Sequence, residues 1–379
     1  MTPTERLSTQ NGPLKLTLDG DHYTLGRQHG AQVKLLRPQI DAAITARLEE
    51  IAAYGHDARF EGLMRETRDA LLTHCPDAVA MIWGQAESLG LDFERLLRYD
   101  LVSYLRDDLL TRGSGGSRGC TAWSATGSAT IDEQPILTKS RDYQVDHLPL
   151  QTVSLVKPAG GHRYVCVGSA GSPGVYCAGI NDAGLAVADT HVASTEIGAG
   201  LPDFATMMHM LEQLDTVAAA VDYLRYVPRL GRNNLILADA TGEVAVFESG
   251  HRSYGLLSAE DGTLVTTNHR VCPSLRQYVV DLSPAVARGN SLHRYEKVSA
   301  ALEAAHGQID VGFAQRLMAS HDGPMASICR HPVEGCDSAT IAACIFLPTD
   351  RAMLLCHGLP CQGTYEHFRA REGGDERWT

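Results

Sequence analysis

No run of about 18 apolar residues occurs in this chain of 379 residues, which excludes a membrane-spanning helix of ordinary length. No Cys-x-x-Cys pair occurs among the ten cysteines. The closest local pairs, Cys329 with Cys336 and Cys356 with Cys361, lack the spacing of a structural zinc site, so no metal is expected. The sequences G-x-G-x-x-G, Walker A and His-Glu-x-x-His are also missing. Without them, no cofactor is expected for the chemistry. Basic residues are in deficit. The 33 Lys and Arg against 45 Asp and Glu leave a net charge of −12, which argues against nucleic acid or an anionic membrane surface as partner. The first ten residues are polar and lack the apolar core of a signal peptide. We therefore expect a cytoplasmic protein whose cysteines are mostly buried thiols.

Hydrophobic residues make up 44% of the chain and charged residues 21%, ordinary globular usage. Residues 22 to about 110 read as helical. Val33, Leu36, Ile40, Ile44, Leu48 and Ile51 recur at helical spacing, with Pro38 expected to kink this stretch or mark a second start. Further helices are expected over 61–74, 77–89 and 92–110. After Cys120 the texture changes to short β-rich runs separated by Gly, Asn and Asp turns, such as Asn181-Asp-Ala-Gly184 and Asp239-Ala-Thr-Gly-Glu243. Helical stretches interrupt at about 203–227, 290–306 and 309–319, and strands return at 340–347 and 352–357. This order suggests a layered α+β fold, with strands in packed sheets and the later helices on their outer faces.

Cys120 stands at the junction of the two textures. The Gly/Ser filler Thr111-Arg-Gly-Ser-Gly-Gly-Ser-Arg-Gly119 ends there, and the β-type segment Thr121-Ala-Trp-Ser-Ala-Thr126 begins. Such a cysteine, released at a new N-terminus by cleavage of Gly119–Cys120, would carry both a thiol and an α-amine. The two have reference pKa values of about 8.5 and about 7.7–8.0. One residue then supplies nucleophile and base. Gly119 suits the cleavage because glycine accepts strained backbone at little steric cost.

A nucleophile also needs a group to orient its base and donors for the oxyanion. A turn at Ser128–Gln134 would fold Lys139-Ser-Arg-Asp-Tyr143 back beside Cys120. Asp142 could then hold the amine or thiol, and Arg141 could lower the thiol pKa or face solvent. Asn234 opens an apolar strand and offers an amide to an oxyanion. Asn268-His269 is a second amide at a strand end. His191 and His269 are the candidates for a papain-like pair. Arg330 could bind an anionic end of a substrate.

Arg118-Gly-Cys-Thr121, Lys139-Ser-Arg-Asp-Tyr143, Gly179-Ile-Asn-Asp-Ala-Gly-Leu185, Asn234-Leu-Ile-Leu-Ala-Asp239, Thr267-Asn-His269 and Ser327-Ile-Cys-Arg330 occur in one order. In that order they resemble the C45 peptidase family, which includes isopenicillin-N acyltransferase (acyl-coenzyme A:6-aminopenicillanic acid acyltransferase). The resemblance runs from Tyr23-Thr-Leu-Gly-Arg-Gln-His-Gly30 to Gly358-Leu-Pro-Cys361. It implies a four-layer αββα sandwich of N-terminal nucleophile hydrolase type. It also implies self-cleavage before Cys120, with residues 1–119 staying bound as a helical subunit to the catalytic piece 120–379. Carried over, Cys120 is the nucleophile, Asp142 the catalytic aspartate and Asn234 the oxyanion amide. Two departures stand out. Ser140 replaces the family's usual Asn, and the loop Glu334-Gly-Cys-Asp-Ser338 offers no arginine where the acyltransferase has a catalytic one. Arg330 or Arg141 would have to substitute.

The expected function is amide cleavage or acyl transfer through an acyl-Cys120 thioester. The substrate is a small acyl amide or acyl thioester, with acyl-coenzyme A open as a donor. Two other readings stay open: an unprocessed, silent relative acting as a scaffold, and an intact papain-like hydrolase using His191 or His269.

Overall fold

The computed structural model describes residues 12–55, 57–105, 119–276, 285–321, 323, 327–333 and 337–370. The Gly/Ser filler before Gly119 and part of the 334–338 loop lie outside these residues.

The described residues open with a strand that the sequence reading does not contain. β1 (Leu14–Gly20) alternates buried Leu16 and Leu18 with exposed neighbours. It pairs in parallel with β4 (Gln151–Pro158), Leu14 opposite Thr152. Five helices follow: α1 (His22–Gln32), α2 (Arg37–Ala52), α3 (Ala58–His74), α4 (Pro76–Leu89) and α5 (Phe93–Leu105). Pro38 lies in the first turn of α2, so it marks a second start, where its missing N–H costs nothing. Gly90 closes α4 in the left-handed region, as expected of a residue separating two helices.

Besides short helical turns, the elements that follow are β2 (Ala122–Thr126), β3 (Ile136–Gln144), β5 (Tyr164–Ser169), β6 (Ala178–Asn181), β7 (Ala186–His191), α6 (Asp203–Gln213), α7 (Val217–Tyr226), β8 (Asn233–Ala238), β9 (Val244–Ser249), β10 (Tyr254–Ala259), β11 (Gly262–Thr266), α8 (Ala285–Ala304), α9 (Val311–Met318), β12 (Ser338–Leu347), β13 (Ala352–His357) and β14 (Tyr365–Arg369). The turn at Gly184 needs glycine, with φ of 100°, and the Asn181 side chain caps it by accepting from the Gly184 and Leu185 N–H groups.

Two sheets form. One has eight strands in the order β1-β4-β5-β6-β7-β8-β9-β10, the other six in the order β11-β2-β3-β12-β13-β14. Three apolar layers identify the stacking. Leu25, Ile82, Leu97, Phe204 and Leu224 of the helices pack with Leu16, Tyr164 and Phe247 on the outer face of the larger sheet. Val153, Val167, Ile180, Ile236, Leu137, Cys344 and Leu355 fill the space between the sheets. Trp123, Ile345 and Cys356 pack against Val298, Leu302 and Leu317 of α8 and α9. The architecture is a four-layer αββα sandwich preceded by helices, as the family resemblance implied. Strands buried on both faces read as continuous apolar runs, which is why β8 and β12 were legible from sequence.

Candidate active site

β2 and β3 pair antiparallel with Ala122 opposite Lys139. One more pair of bonds extends the ladder past Ala122. Ser140 N–H donates to Thr121 O at 2.8 Å, and Thr121 N–H donates to Ser140 Oγ at 2.9 Å. The register thus carries Cys120 to the level of Arg141, and Gly119 to that of Asp142. Both lie at the mouth of β2, one strand in from the edge of the smaller sheet.

The backbone of Cys120 is held on both sides. Its N–H donates to Asn268 Oδ1 at 2.9 Å, and its carbonyl accepts from Arg294 Nη1 at 2.5 Å. Arg294 also donates to Thr121 Oγ1 at 2.9 Å, to Asn268 Oδ1 at 2.7 Å and, through Nε, to Asn290 Oδ1 at 2.9 Å. It is 1% exposed, and burial pulls its guanidinium below the ordinary arginine value while Asp142 and Cys120 oppose the shift. A guanidinium does not deprotonate in proteins, so a buried positive charge sits beside Cys120. Asn268 is anchored in turn by its Nδ2, which donates to His191 O at 2.8 Å.

Asp142 lies on the other side of Gly119. A side-chain carbon placed on Gly119 would come 2.8 Å from Asp142 Oδ2 and 3.3 Å from Arg294 Nη2. Thr340 donates its hydroxyl to Asp142 Oδ1 at 2.7 Å and accepts the Arg330 N–H at 2.8 Å. A bulge aims Thr340. The register of β12 on β3 shifts between Thr340 and Ala342, next to the site, where such bulges re-aim side chains. Burial raises the Asp142 carboxyl above the ordinary aspartate range, while Arg294, Thr340, Arg330 and Lys139 all pull it down. Lys139 is the second buried cation. It lies 1% exposed and bonds Asp189 of β7. Burial draws its ammonium down, but Cys120 first, then Asp189 and Cys177, hold it above the usual lysine value.

A model of the acyl-coenzyme A:6-aminopenicillanic acid acyl-transferase family matches residues 130–362. The chain belongs to this family. The matched span contains Asp142, Asn268, Arg294 and Arg330, and opens after Cys120. No curated protein matches. Among solved structures, a variant of the conjugated bile acid hydrolase from Clostridium perfringens is similar, with 13% identity over 66% of this chain and 92% of that one, at a TM-score of 0.45. The penicillin V acylase from Agrobacterium tumefaciens shares 16% identity over 65% of this chain and 84% of its own, at a TM-score of 0.42.

Within this family member, the residues singled out from sequence separate into two groups. Cys120, Gly119, Asp142, Asn268 and Arg330 converge. Asn234 bonds the stretch that carries Asn268. It is fully buried, and its amide donates to Thr266 Oγ1 at 2.9 Å, His269 O at 3.0 Å and Thr267 O at 3.2 Å, while its oxygen accepts from Arg270. These bonds tie Asn234 to the Thr266 side chain and to the backbone on either side of Asn268. His269 turns its ring to Thr267 Oγ1 and Ser291 Oγ, at 3.0 and 2.8 Å, and packs edge-on against Tyr295. Arg141 does not face solvent. It is buried between the sheets, donating to Gly168 O at 3.2 Å and lying over the Tyr143 and Tyr176 rings.

Sequence reading missed Arg294 and gave Lys139 no role. Arg294 had a readable signal. Along α8 the apolar stripe Leu302, Val298 continues one turn back onto Arg294 and then onto Asn290 and Ser291. A cation on a stripe that faces a sheet must meet partners there.

Proposed function

We propose that this chain is a self-processing cysteine N-terminal nucleophile enzyme that cleaves amides or transfers acyl groups through an acyl-Cys120 thioester. The observation that supports it best is the cradle around Gly119–Cys120. A glycine is pressed against a carboxylate, and the next residue's N–H and C=O are both held by buried side chains.

The processing step we propose begins at this cradle. Cys120 Sγ attacks the Gly119 carbonyl carbon, the peptide C–N bond breaks, and the acyl group passes to sulfur while the amine gains the thiol proton. Water then opens the thioester, leaving a Gly119 carboxylate and a Cys120 with free thiol and α-amine. In turnover the amine takes the thiol proton as sulfur attacks the substrate carbonyl, and returns it to the departing amine or thiol. Water or an acceptor amine resolves the acyl-Cys120.

Each neighbour has a distinct task. Asn268 Oδ1 accepts from the Cys120 nitrogen and so orients its lone pair. The Arg294 charge beside that nitrogen disfavours the ammonium, keeping the amine a base near neutral pH. Lys139, across the strand pair, places a second positive charge beside the Cys120 thiol. One Nδ2–H of Asn268 goes to His191 O, and we assign the second to the developing oxyanion. Asp142 fixes Arg294 and Arg330 around the site and is not itself a nucleophile. The substrates that suit these steps are small acyl amides and acyl thioesters, acyl-coenzyme A among them.

The test is intact mass measurement of purified protein, alone and after incubation with a panel of N-acyl amines and acyl thioesters. The expected result is a piece beginning at Cys120, an acyl adduct on it, and a single uncut chain in Cys120→Ala. An active wild type that never exposes an N-terminal Cys120 would overturn the mechanism.

A further inference from the structure

On the same side of the molecule as Arg330, a second cluster of reactive side chains takes no part in the chemistry above. His321, Cys329, His331 and Cys361 each bring one ligand atom into a space where all four atoms lie within 4.8 Å of one another. Two thiols and two imidazoles form a donor set of structural zinc. Tetrahedral zinc, with Zn–S near 2.3 Å and Zn–N near 2.0–2.1 Å, sets its ligand atoms roughly 3.3–3.8 Å apart. His331 Nε2 stands 3.2 Å from Cys361 Sγ and 3.8 Å from Cys329 Sγ. The His321 and His331 rings lie side by side, with centroids 5.0 Å apart. His321 Nδ1 is 3.1 Å from Ala319 O. That is the carbonyl contact by which a metal-bound histidine fixes its ring through its other nitrogen. Burial grades across the cluster. Cys329 is fully buried, Cys361 and His331 are partly covered, and His321 is exposed, which leaves an entry path.

We infer that the chain binds a zinc ion in a closed Cys2His2 site made by His321, Cys329, His331 and Cys361. The site is structural, since all four positions come from protein and none is left for water. Its ligands come from three separate stretches: the residues after α9, the pair Cys329-x-His331, and the turn after β13. Zinc would tie these together. Arg330 lies between two ligands. Its N–H bonds Thr340 Oγ1, and its carbonyl accepts the Thr340 N–H at 2.9 Å. Thr340 in turn bonds Asp142. The ion would therefore hold the segment that presents Arg330 to the Cys120 centre, making the four ligands positioning residues for it.

The test uses the full chain purified from zinc-supplemented medium and dialysed against a weak chelator. Metal is counted by elemental analysis and native mass spectrometry. A single zinc per chain is expected, retained in Cys120→Ala and bound at least about ten-fold more weakly in Cys361→Ser and His331→Ala. Cobalt(II) exchanged into the wild type should show the intense ligand-field bands and thiolate charge-transfer absorption of a tetrahedral sulfur site. This readout stands even if a ligand variant fails to fold. Wild type without metal under these conditions overturns the inference. So does zinc that disappears in Cys120→Ala, or a Cys329–Cys361 disulfide in place of the metal.

Discussion

Asn268 and Asn234 are two buried amides with different partners. Asn268 touches the Cys120 nitrogen, whereas Asn234 touches the backbone on which Asn268 is mounted. Asn268→Ala should therefore slow acyl-enzyme formation by about 10²–10³-fold, the usual cost of one oxyanion donor, on top of the stability lost when Arg294 Nη2 and His191 O go unpaired. Asn234→Ala leaves buried carbonyls unpaired and should destabilise the fold by about 1–3 kcal/mol. Parallel burst kinetics and thermal melts separate the two. If Asn234→Ala instead gives the larger kinetic loss at unchanged stability, the assignment of Asn268 is wrong. Asp142→Asn keeps shape but removes the charge that faces Arg294 and Arg330. Turnover should fall at least about 10²-fold with little change in melting temperature, and unchanged turnover in a folded variant would remove Asp142 from the site.

Helices α1 and α4 cross almost without side chains between them. A side-chain carbon on Gly26 would lie 2.0 Å from Met81 O, and one on Gly84 would lie 2.2 Å from Tyr23 O. Backbone meets backbone there, so nothing flexible can give way. Gly84→Ala and Gly26→Ala should each cost at least about 1–3 kcal/mol despite alanine's better helix propensity. Chemical denaturation measures this, and a stability equal to or above wild type would show that the helices can separate. The helices were legible because their apolar stripes recur at 3.6-residue spacing. β1 was not, since a short strand with polar alternate residues carries weak periodicity and its parallel partner β4 lies more than 130 residues on.

At the scale of the molecule, the segment before Gly119 is interwoven with the rest. β1 adds the edge strand of the larger sheet, and α1–α5 share its apolar layer with α6 and α7. The fragments 1–119 and 120–379 should thus co-elute after cleavage and part only in denaturant, and separation in native buffer would contradict this. The same interface carries a pH dependence. His29 of α1 is 3% exposed, and its Nε2 accepts the Gly171 N–H at 3.1 Å. Burial pushes its pKa down to about 4 from an ordinary value of 6.5. The unfolded chain binds this proton first, so the stability is complete above pH 6.5 and is lost as pH falls towards 4. His29→Gln keeps an acceptor for Gly171 and should flatten the melting temperature over that window. A wild-type profile already flat there would show that His29 is not buried neutral.

Cys120 at the end of a Gly/Ser filler, the apolar β runs that follow, the helical stripes before it and the order of six short motifs were all properties of the linear chain. They sufficed for the layered α+β fold and the family, because periodicity and turn chemistry act over a few residues and survive without knowledge of distant contacts. Which amide reaches Cys120 was decided only in three dimensions, by the antiparallel pairing of β11 with β2, which brings the residues after Thr266 beside Cys120. So were the burial of Arg294, the pairing of Lys139 with Asp189, and the gathering of His321, Cys329, His331 and Cys361 from three separate stretches. Charges and ligands act through space over a few ångströms, and sequence spacing says nothing about distances that the packing of two sheets creates.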